Sequence, residues 1–215
     1  MGRRLYLCTD AREATGDLVG FVAACIAGGV DIVQLRDKDL EGAALLAAAL
    51  AMRDVCRAHD VPFIVNDRPD LALVAQADGV HVGQGDLPPW ACRRVLGQDA
   101  IIGRSTHAPE ELDTATLEPV DYLSAGPVVA TPTKPDRDGV GLGYITYATA
   151  HSAGRPVFVT GGANPDTVGP IVAAGGDRVV AVRWLTHSAN PEQAAAALRS
   201  ALDAAMAART DSAGS

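Results

Sequence analysis

Aromatic residues and long apolar runs are scarce in this chain. Phe, Trp and Tyr together make up 4% of its 215 residues. Every apolar stretch is interrupted well before the roughly 18 residues that a membrane span needs. The opening residues, Met1 to Tyr6, also lack the apolar segment of a signal peptide. We therefore expect a cytoplasmic protein that does not enter membranes.

An excess of positive charge is absent as well. The formal net charge is -8 at pH 7, so the overall field repels nucleic acid and anionic membranes.

The four cysteines include no CxxC pair, which favours buried free thiols over a disulfide framework or a thiolate metal site. No Ser/His/Asp order or metal-ligating histidine pair stands out, which disfavours nucleophilic hydrolysis and zinc chemistry.

Short β-branched runs alternate with longer Ala-rich stretches along the whole chain. This alternation is typical of helices that return the chain between parallel strands. It predicts an α/β fold, a single (β/α)8 TIM barrel over residues 1–208 followed by a disordered tail over 209–215. The predicted strands are 5–9, 32–35, 63–65, 79–82, 101–103, 122–125, 157–160 and 179–182. The predicted helices are 17–28, 40–59, 70–76, 88–97, 109–116, 141–152, 165–174 and 191–207.

Polar residues collect just past the predicted strands, where such barrels carry their active sites. Several are cations, and at one mouth they would form a local positive field suited to phosphate or diphosphate. An ordinary solvated loop charge is the alternative for any one of them alone. The cations at this end are Arg36, Lys38, Arg104 and Lys134.

Two carboxylates, Asp67 and Asp86, end neighbouring predicted strands. They could approach one magnesium ion, which takes one or two protein carboxylates together with water and phosphate oxygens. The alternative is that each caps the helix that follows it. The sequence leaves both interpretations open.

Two loops and two histidines complete the predicted mouth. Gly161-Gly162, followed by Asn164, resembles a turn whose amides can hold a phosphate, although a purely structural turn explains the pair equally well. Residues 126–135 are too rich in Pro and hydroxyls for a helix or strand, and indicate a lid loop. We interpret His81 as a core or rim residue and His107 as the start of the fifth helix.

These motifs, in this order, resemble the thiamine-phosphate synthase family over residues 5–198. The resemblance rests on Gln34-Leu35-Arg36-Asp37-Lys38, Asn66-Asp67-Arg68, residues 78–86, Gly103-Arg104-Ser105-Thr106-His107, Gly126-Pro127 with Thr131-Pro132-Thr133-Lys134, and Gly161-Gly162.

The resemblance implies an enzyme that joins a phosphorylated pyrimidine and a phosphorylated thiazole, with release of diphosphate and Mg2+ as cofactor. It implies that the pyrimidine diphosphate is contacted by Gln34, Arg36, Lys38, Asn66, Ser105 and Lys134. Of these, Arg36, Lys38, Ser105 and Lys134 would be catalytic. It further implies that Asp67 and Asp86 hold the magnesium, and that Thr131, Thr133 and Gly162 hold the thiazole phosphate.

The chain departs from the family pattern after the eighth strand. Val182-Arg183-Trp184-Leu185 stands where the family has small Ser or Ala residues, so the roles of Arg183 and Trp184 stay open. Three alternatives also remain: a thiazole tautomerase, a barrel that senses a phosphate ester without turnover, and a sugar-phosphate isomerase or epimerase. The oligomeric state is open too, and a homo-oligomer is compatible with the sequence.

Overall fold

The computed structural model describes residues 2–130 and 138–213. Thr131, Thr133 and Lys134 lie outside these ranges, and so does part of the expected lid loop. The strands are β1 (Leu5–Thr9), β2 (Ile32–Leu35), β3 (Phe63–Asn66), β4 (Gly79–Val82), β5 (Ile101–Thr106), β6 (Tyr122–Ala125), β7 (Val157–Val159) and β8 (Val179–Ala181).

The eight strands pair in chain order, all in parallel, and β1 pairs with β8 to close a barrel. The predicted (β/α)8 fold is therefore confirmed. The helices are α1 (Leu18–Ala27), α2 (Gly42–Ala58), α3 (Pro69–Ala75), α4 (Pro89–Leu96), α5 (Pro109–Ala115), α6 (Gly141–His151), α7 (Val168–Ala173), α8 (Arg183–Thr186) and α9 (Pro191–Ala213). Within the described ranges, no helix is both long and apolar enough to cross a bilayer.

Alternating side chains give the barrel two apolar layers, because successive strand residues point to opposite faces. Residues that face outward, such as Leu7 and Val33, join the main core with residues of the surrounding helices. Residues that face inward form a second, smaller cluster around Tyr6, Tyr122 and Phe158. Their rings meet edge to face at centroid distances of 5.2–6.0 Å, so three of the few aromatic residues fill the barrel interior.

The short helix α8 was not predicted, and three other elements differ from the sequence prediction by three residues or more. Strand β5 continues three residues past 103 to Thr106, and helix α7 begins at Val168 rather than 165 because residues 165–167 form a turn. Helix α9 continues to Ala213, into the segment for which the sequence predicted no order. The Ala-rich sequence favours continuation of the helix, and the Arg209 guanidinium donates a hydrogen bond of 2.9 Å to the Val172 carbonyl.

Cys25 and Cys56 are fully buried on the inner faces of α1 and α2, and burial raises the pKa of each thiol to about 12. Only the thiolate reacts with disulfide reagents. At pH 8 roughly one such thiol in ten thousand is ionised. We expect both thiols to resist an aromatic disulfide reagent at pH 8 and to react fully in guanidinium chloride. Rapid labelling of either residue in the native protein, located by mass spectrometry of peptides, would contradict the burial.

Candidate active site

A cavity of about 850 Å³ opens at the C-terminal ends of the strands. Eight of the eleven site residues inferred from sequence line it, and the other three, Thr131, Thr133 and Lys134, lie outside the described residues. The eight are Gln34, Arg36, Lys38, Asn66, Asp67, Asp86, Ser105 and Gly162. The structure therefore brings these residues together, while their individual roles remain predictions.

The floor of the cavity is polar because the inward strand positions change character along each strand. Near the start of the strands these positions carry apolar residues such as Ile32 and Ile64. Two residues further on, the same face carries polar side chains. These are Cys8, Gln34, Asn66, His81, Ser105 and Ser124, and all six line the cavity.

A chain of hydrogen bonds crosses the barrel beneath this floor. Gln34 Nε2 donates to the Tyr6 hydroxyl at 2.7 Å, and this hydroxyl lies 2.9 Å from that of Tyr122. The Tyr122 hydroxyl lies 2.9 Å from His81 Nδ1, and His81 Nε2 lies 2.9 Å from Ser105 Oγ. Gln34 and Ser105, on opposite sides of the cavity, are thus linked through three buried side chains.

Burial keeps the two tyrosines of this network protonated. Desolvation raises the pKa of both Tyr6 and Tyr122, so both phenols stay neutral and can donate or accept. Gly103 leaves the space for this arrangement, since a Cβ there would overlap the Tyr122 ring and His81. The two tyrosines therefore supply the floor with neutral, fixed donors and acceptors.

At the rim, Asp67 directly follows β3 and adopts a left-handed backbone with φ of 61°, which Asp tolerates better than most residues. Its Oδ2 lies 3.1 Å from Lys38 Nζ. Burial, together with the neighbouring carboxylate of Asp86, raises the pKa of Asp67 despite the ammonium group of Lys38. Two carboxyl groups in contact cannot easily both ionise without a cation between them.

Asp86 approaches Asp67 from the loop after β4. Its Oδ2 accepts a hydrogen bond of 2.7 Å from the Gly83 amide. Burial acts to raise the pKa of Asp86, but hydrogen bonds from Asp67 and Gly83 outweigh it, so the pKa lies below its usual value. Neither carboxylate caps a helix, because α3 and α4 begin after Arg68 and Pro88 with no side-chain cap. The helix-cap alternative is therefore wrong for both.

The sequence placed Arg104 among the cations of the mouth, and this placement is wrong. Since β5 continues to Thr106, Arg104 takes an outward position between Gly103 and Ser105, which face the interior. Its guanidinium is buried behind the barrel wall beside Glu118. Arg36 does line the cavity, and its side chain forms no hydrogen bond or ion pair with the residues described.

The opposite wall is formed by the turn after β7 and by α8. Gly161 and Gly162 have φ of 99° and 84°, which are positive values that glycine adopts more easily than any other residue. The side chain of Asn164 accepts hydrogen bonds from the amides of residues 166 and 167, which shapes the turn. Arg183 and Trp184, at the start of α8, also line the cavity, and Trp184 Nε1 donates to the Ala194 carbonyl.

Sequence reasoning missed several residues of the floor. Cys8 was interpreted only as a buried free thiol, Ser124 was not considered, and His81 was interpreted only as a core or rim residue. Each is the last inward-facing residue of its strand. Alternation along each predicted strand places Cys8 on the face of Tyr6, His81 on the face of Gly79 and Ser124 on the face of Tyr122. His107, interpreted as the start of the fifth helix, lies two residues before α5 with its Nδ1 2.8 Å from Glu111 Oε2, and it also lines the cavity.

Comparison with known proteins agrees with this geometry. The sequence profile of the family described as thiamine monophosphate synthase matches residues 5–185. The chain belongs to this family. The thiamine-phosphate synthase of Saccharopolyspora erythraea is 47% identical over 205 residues, 92% of each chain. That of Thermobifida fusca is 48% identical over 206 residues, which are 95% of this chain and 94% of the relative.

Solved structures share the fold of this chain. The thiamine phosphate pyrophosphorylase from Pyrococcus furiosus superposes with a TM-score of 0.84 at 28% identity, covering 94% of this chain and 96% of that one. A 3-hexulose-6-phosphate synthase from Salmonella typhimurium, with a TM-score of 0.68 and 18% identity, shares the fold alone. The match to the thiamine monophosphate synthase family therefore extends over almost the whole barrel that the structure describes.

Replacing Tyr122 by Phe removes one hydroxyl from the buried network and leaves Tyr6 and His81 each without that partner. A buried polar group that loses its partner costs about 1–3 kcal/mol. For a chain of this size we expect Tm to fall by about 2–4 °C for each kcal/mol. Differential scanning calorimetry measures the shift.

The matched control is Tyr147→Phe, which removes a hydroxyl that donates to Asp113 at the surface. It should leave Tm nearly unchanged. Equal Tm values for Tyr122→Phe and the wild type would show that the network contributes nothing to stability.

Proposed function

We propose that this chain joins 4-amino-2-methyl-5-(diphosphooxymethyl)pyrimidine to 4-methyl-5-(2-phosphooxyethyl)thiazole and releases diphosphate, as a transferase of thiamine biosynthesis. The observation that carries the proposal is the pair of carboxylates, Asp67 and Asp86, at a rim that also carries Arg36 and Lys38. The names of relatives 47–48% identical over more than nine tenths of the chain support the same reaction.

This reaction requires the protein mainly to stabilise the diphosphate leaving group. The bond between the pyrimidine methylene carbon and the diphosphate oxygen breaks, and its electron pair leaves with diphosphate. The ring amino group delocalises the positive charge on the pyrimidine. The thiazole nitrogen then forms the new bond to the methylene carbon, so no protein nucleophile is required. Positioning and electrostatics supply the rate.

Diphosphate would lie against the rim that follows β2 and β3. Arg36 offers planar paired donors to phosphate oxygens without breaking a contact to a described residue. Lys38 adds a point charge next to Asp67. Lys134, which lies outside the described residues, is proposed to complete this cationic set.

The donor set at Asp67 and Asp86 fits magnesium. The two carboxyl groups are in contact and only one of them ionises readily, so a cation between them would relieve the repulsion. Magnesium commonly uses one or two protein carboxylates and takes its remaining oxygens from water and substrate phosphates. When bound, it would neutralise charge that develops on the departing diphosphate. Lys38 would turn from Asp67 toward the phosphate.

The two rings would lie over the polar floor. Gln34, Asn66 and Ser105 present side-chain donors and acceptors toward the interior, where the pyrimidine ring is proposed to bind. Because Gln34 and Ser105 are held by the network beneath them, they can orient the ring without rearranging.

The thiazole phosphate would bind on the opposite wall. The backbone amide of Gly162 lies in the turn after β7. Phosphate sites after strands seven and eight are frequent in this fold. Thr131 and Thr133, outside the described residues, are proposed to supply hydroxyl groups to the same phosphate. A cytoplasmic location and a homo-oligomeric state are compatible with this function and stay predictions.

A coupled assay tests the reaction directly. The protein is incubated with both phosphorylated substrates, with Mg2+ or with EDTA, and thiamine phosphate and diphosphate are quantified by chromatography. We expect equal amounts of both products, and only with Mg2+. Binding of the thiazole phosphate without product would favour a tautomerase or a sensor of phosphate esters instead.

Replacing Asp67 by Asn tests the metal site. The substitution preserves shape but removes a charged ligand, so we expect the magnesium-dependent rate to fall about 100-fold or more with little change in Tm. The control is Asp70→Asn, three residues along, whose carboxylate pairs with Arg68 at the surface. Full activity of a folded Asp67→Asn variant would exclude Asp67 as a metal ligand.

A further inference from the structure

Arg104 is an unusual residue for its position. Of the strand residues that the structure describes, it is the single Lys, Arg, Asp or Glu. Its outward-facing neighbours in the adjoining strands, Val82 and Leu123, belong to the apolar core. Arg104 is only 8% exposed. Burying a guanidinium in this layer carries a desolvation cost that an apolar residue would avoid, so stability alone gives no reason for it.

The Arg104 guanidinium reaches the loop that follows β4. Its NH1 group donates a hydrogen bond of 2.7 Å to the Gly83 carbonyl, and its NH2 group lies 3.5 Å from Gln84 Oε1. Its Nε lies 3.3 Å from Glu118 Oε2, and these two buried atoms have no aligned hydrogen-bond partner in the described structure. The Arg104 guanidinium therefore directs its hydrogen bonds at the loop after β4, while the Glu118 carboxylate balances its charge.

Gly83 transmits this contact to Asp86. The Gly83 amide donates to Asp86 Oδ2 at 2.7 Å, and the Asp86 amide returns a bond of 3.3 Å to the Gly83 carbonyl. Gly83 is thus held on one side by Arg104 and on the other by Asp86. A rotation of the Gly83 carbonyl would move the carboxylate that faces Asp67.

Gln84 gives Arg104 a second connection to the site. The guanidinium next to Gln84 Oε1 favours the orientation in which Nε2 points away from it. In that orientation Nε2 donates a hydrogen bond of 2.7 Å to the carbonyl of Ser105. The same cation therefore supports the backbone beside Ser105 and the backbone that carries Asp86.

We propose that Arg104 is a positioning residue: from outside the barrel it fixes the loop that presents Asp86 to the magnesium ion. This inference rests on the proposed function, because it assumes that Asp86 is a metal ligand. Arg104 touches neither substrate nor metal. Residues that orient metal ligands typically change metal affinity by about 10- to 100-fold when they are replaced.

The test compares Arg104→Gln with Arg93→Gln. Arg93 is a matched control, since it is also buried and donates to backbone carbonyls, but at the opposite end of the barrel, at Gln98, Ala100 and Pro119. Both variants should lower Tm. Binding of Mn2+ alone is measured by the loss of the free-ion signal in electron paramagnetic resonance, and kcat and KM are measured across Mg2+ concentrations.

We expect Arg104→Gln to weaken Mn2+ binding about 10-fold and to require more Mg2+ for half-maximal rate, with kcat largely recovered at high Mg2+. Arg93→Gln should bind Mn2+ like the wild type. If Arg104→Gln does not fold, the double variant Arg104→Met/Glu118→Gln, which leaves no charge buried at this place, carries the same expectation.

Two contrary results have different meanings. Wild-type affinity for Mn2+ in a folded Arg104 variant would overturn the positioning role and leave the metal site standing. A wild-type protein that binds no Mn2+ and needs no Mg2+ would overturn the metal site itself, and the role of Arg104 with it.

Discussion

Closure of eight parallel strands forces every second strand residue into an interior with room for only a few side chains. In this chain the lower part of that space is filled by Tyr6, Tyr122 and Phe158. Gly103 is required beside them because Tyr122 occupies the volume that a Cβ would need. The aromatic layer therefore closes the barrel from below, and apart from Tyr6 and Val180 the strand residues that line the cavity come from the positions above it. The place and depth of the site follow from this packing.

The upper positions are polar, and burial makes their pairing obligatory. The hydroxyls of Tyr6 and Tyr122 belong to the aromatic layer, yet they also bind Gln34 and His81, which belong to the floor. The same two residues thus fill the interior and supply partners to the polar layer. A floor supported in this way cannot shift without leaving polar groups unsatisfied, which makes it suited to holding flat rings in fixed positions.

The sequence allowed the fold and the ends of most strands to be predicted. Apolar runs and Ala-rich stretches indicate, from local sequence alone, which segments are buried strands and which are packed helices. Asn66 and Asp67 were found because they directly follow such a run. Arg104 was misplaced because residues 104–106 are too polar to be predicted as the end of a strand, and only the full length of β5 shows which side each residue faces. The network could not be predicted, since Tyr6 and Tyr122 are 116 residues apart and meet only through closure.

The barrel wall is a single layer of backbone, so adjacent residues can serve one site from opposite sides. Ser105 lies inside and Arg104 outside, and both are bound to the loop that holds Asp86. Under the proposed function, a cation inside the cavity would compete with magnesium for a carboxylate, and Lys38, 3.1 Å from Asp67, has such a position. From behind the wall, a guanidinium can hold the backbone of the loop and leave the carboxylate oxygens available to the metal. Under the proposed function, this difference explains why the buried guanidinium of Arg104 lies on the outward face of β5 in spite of its desolvation cost.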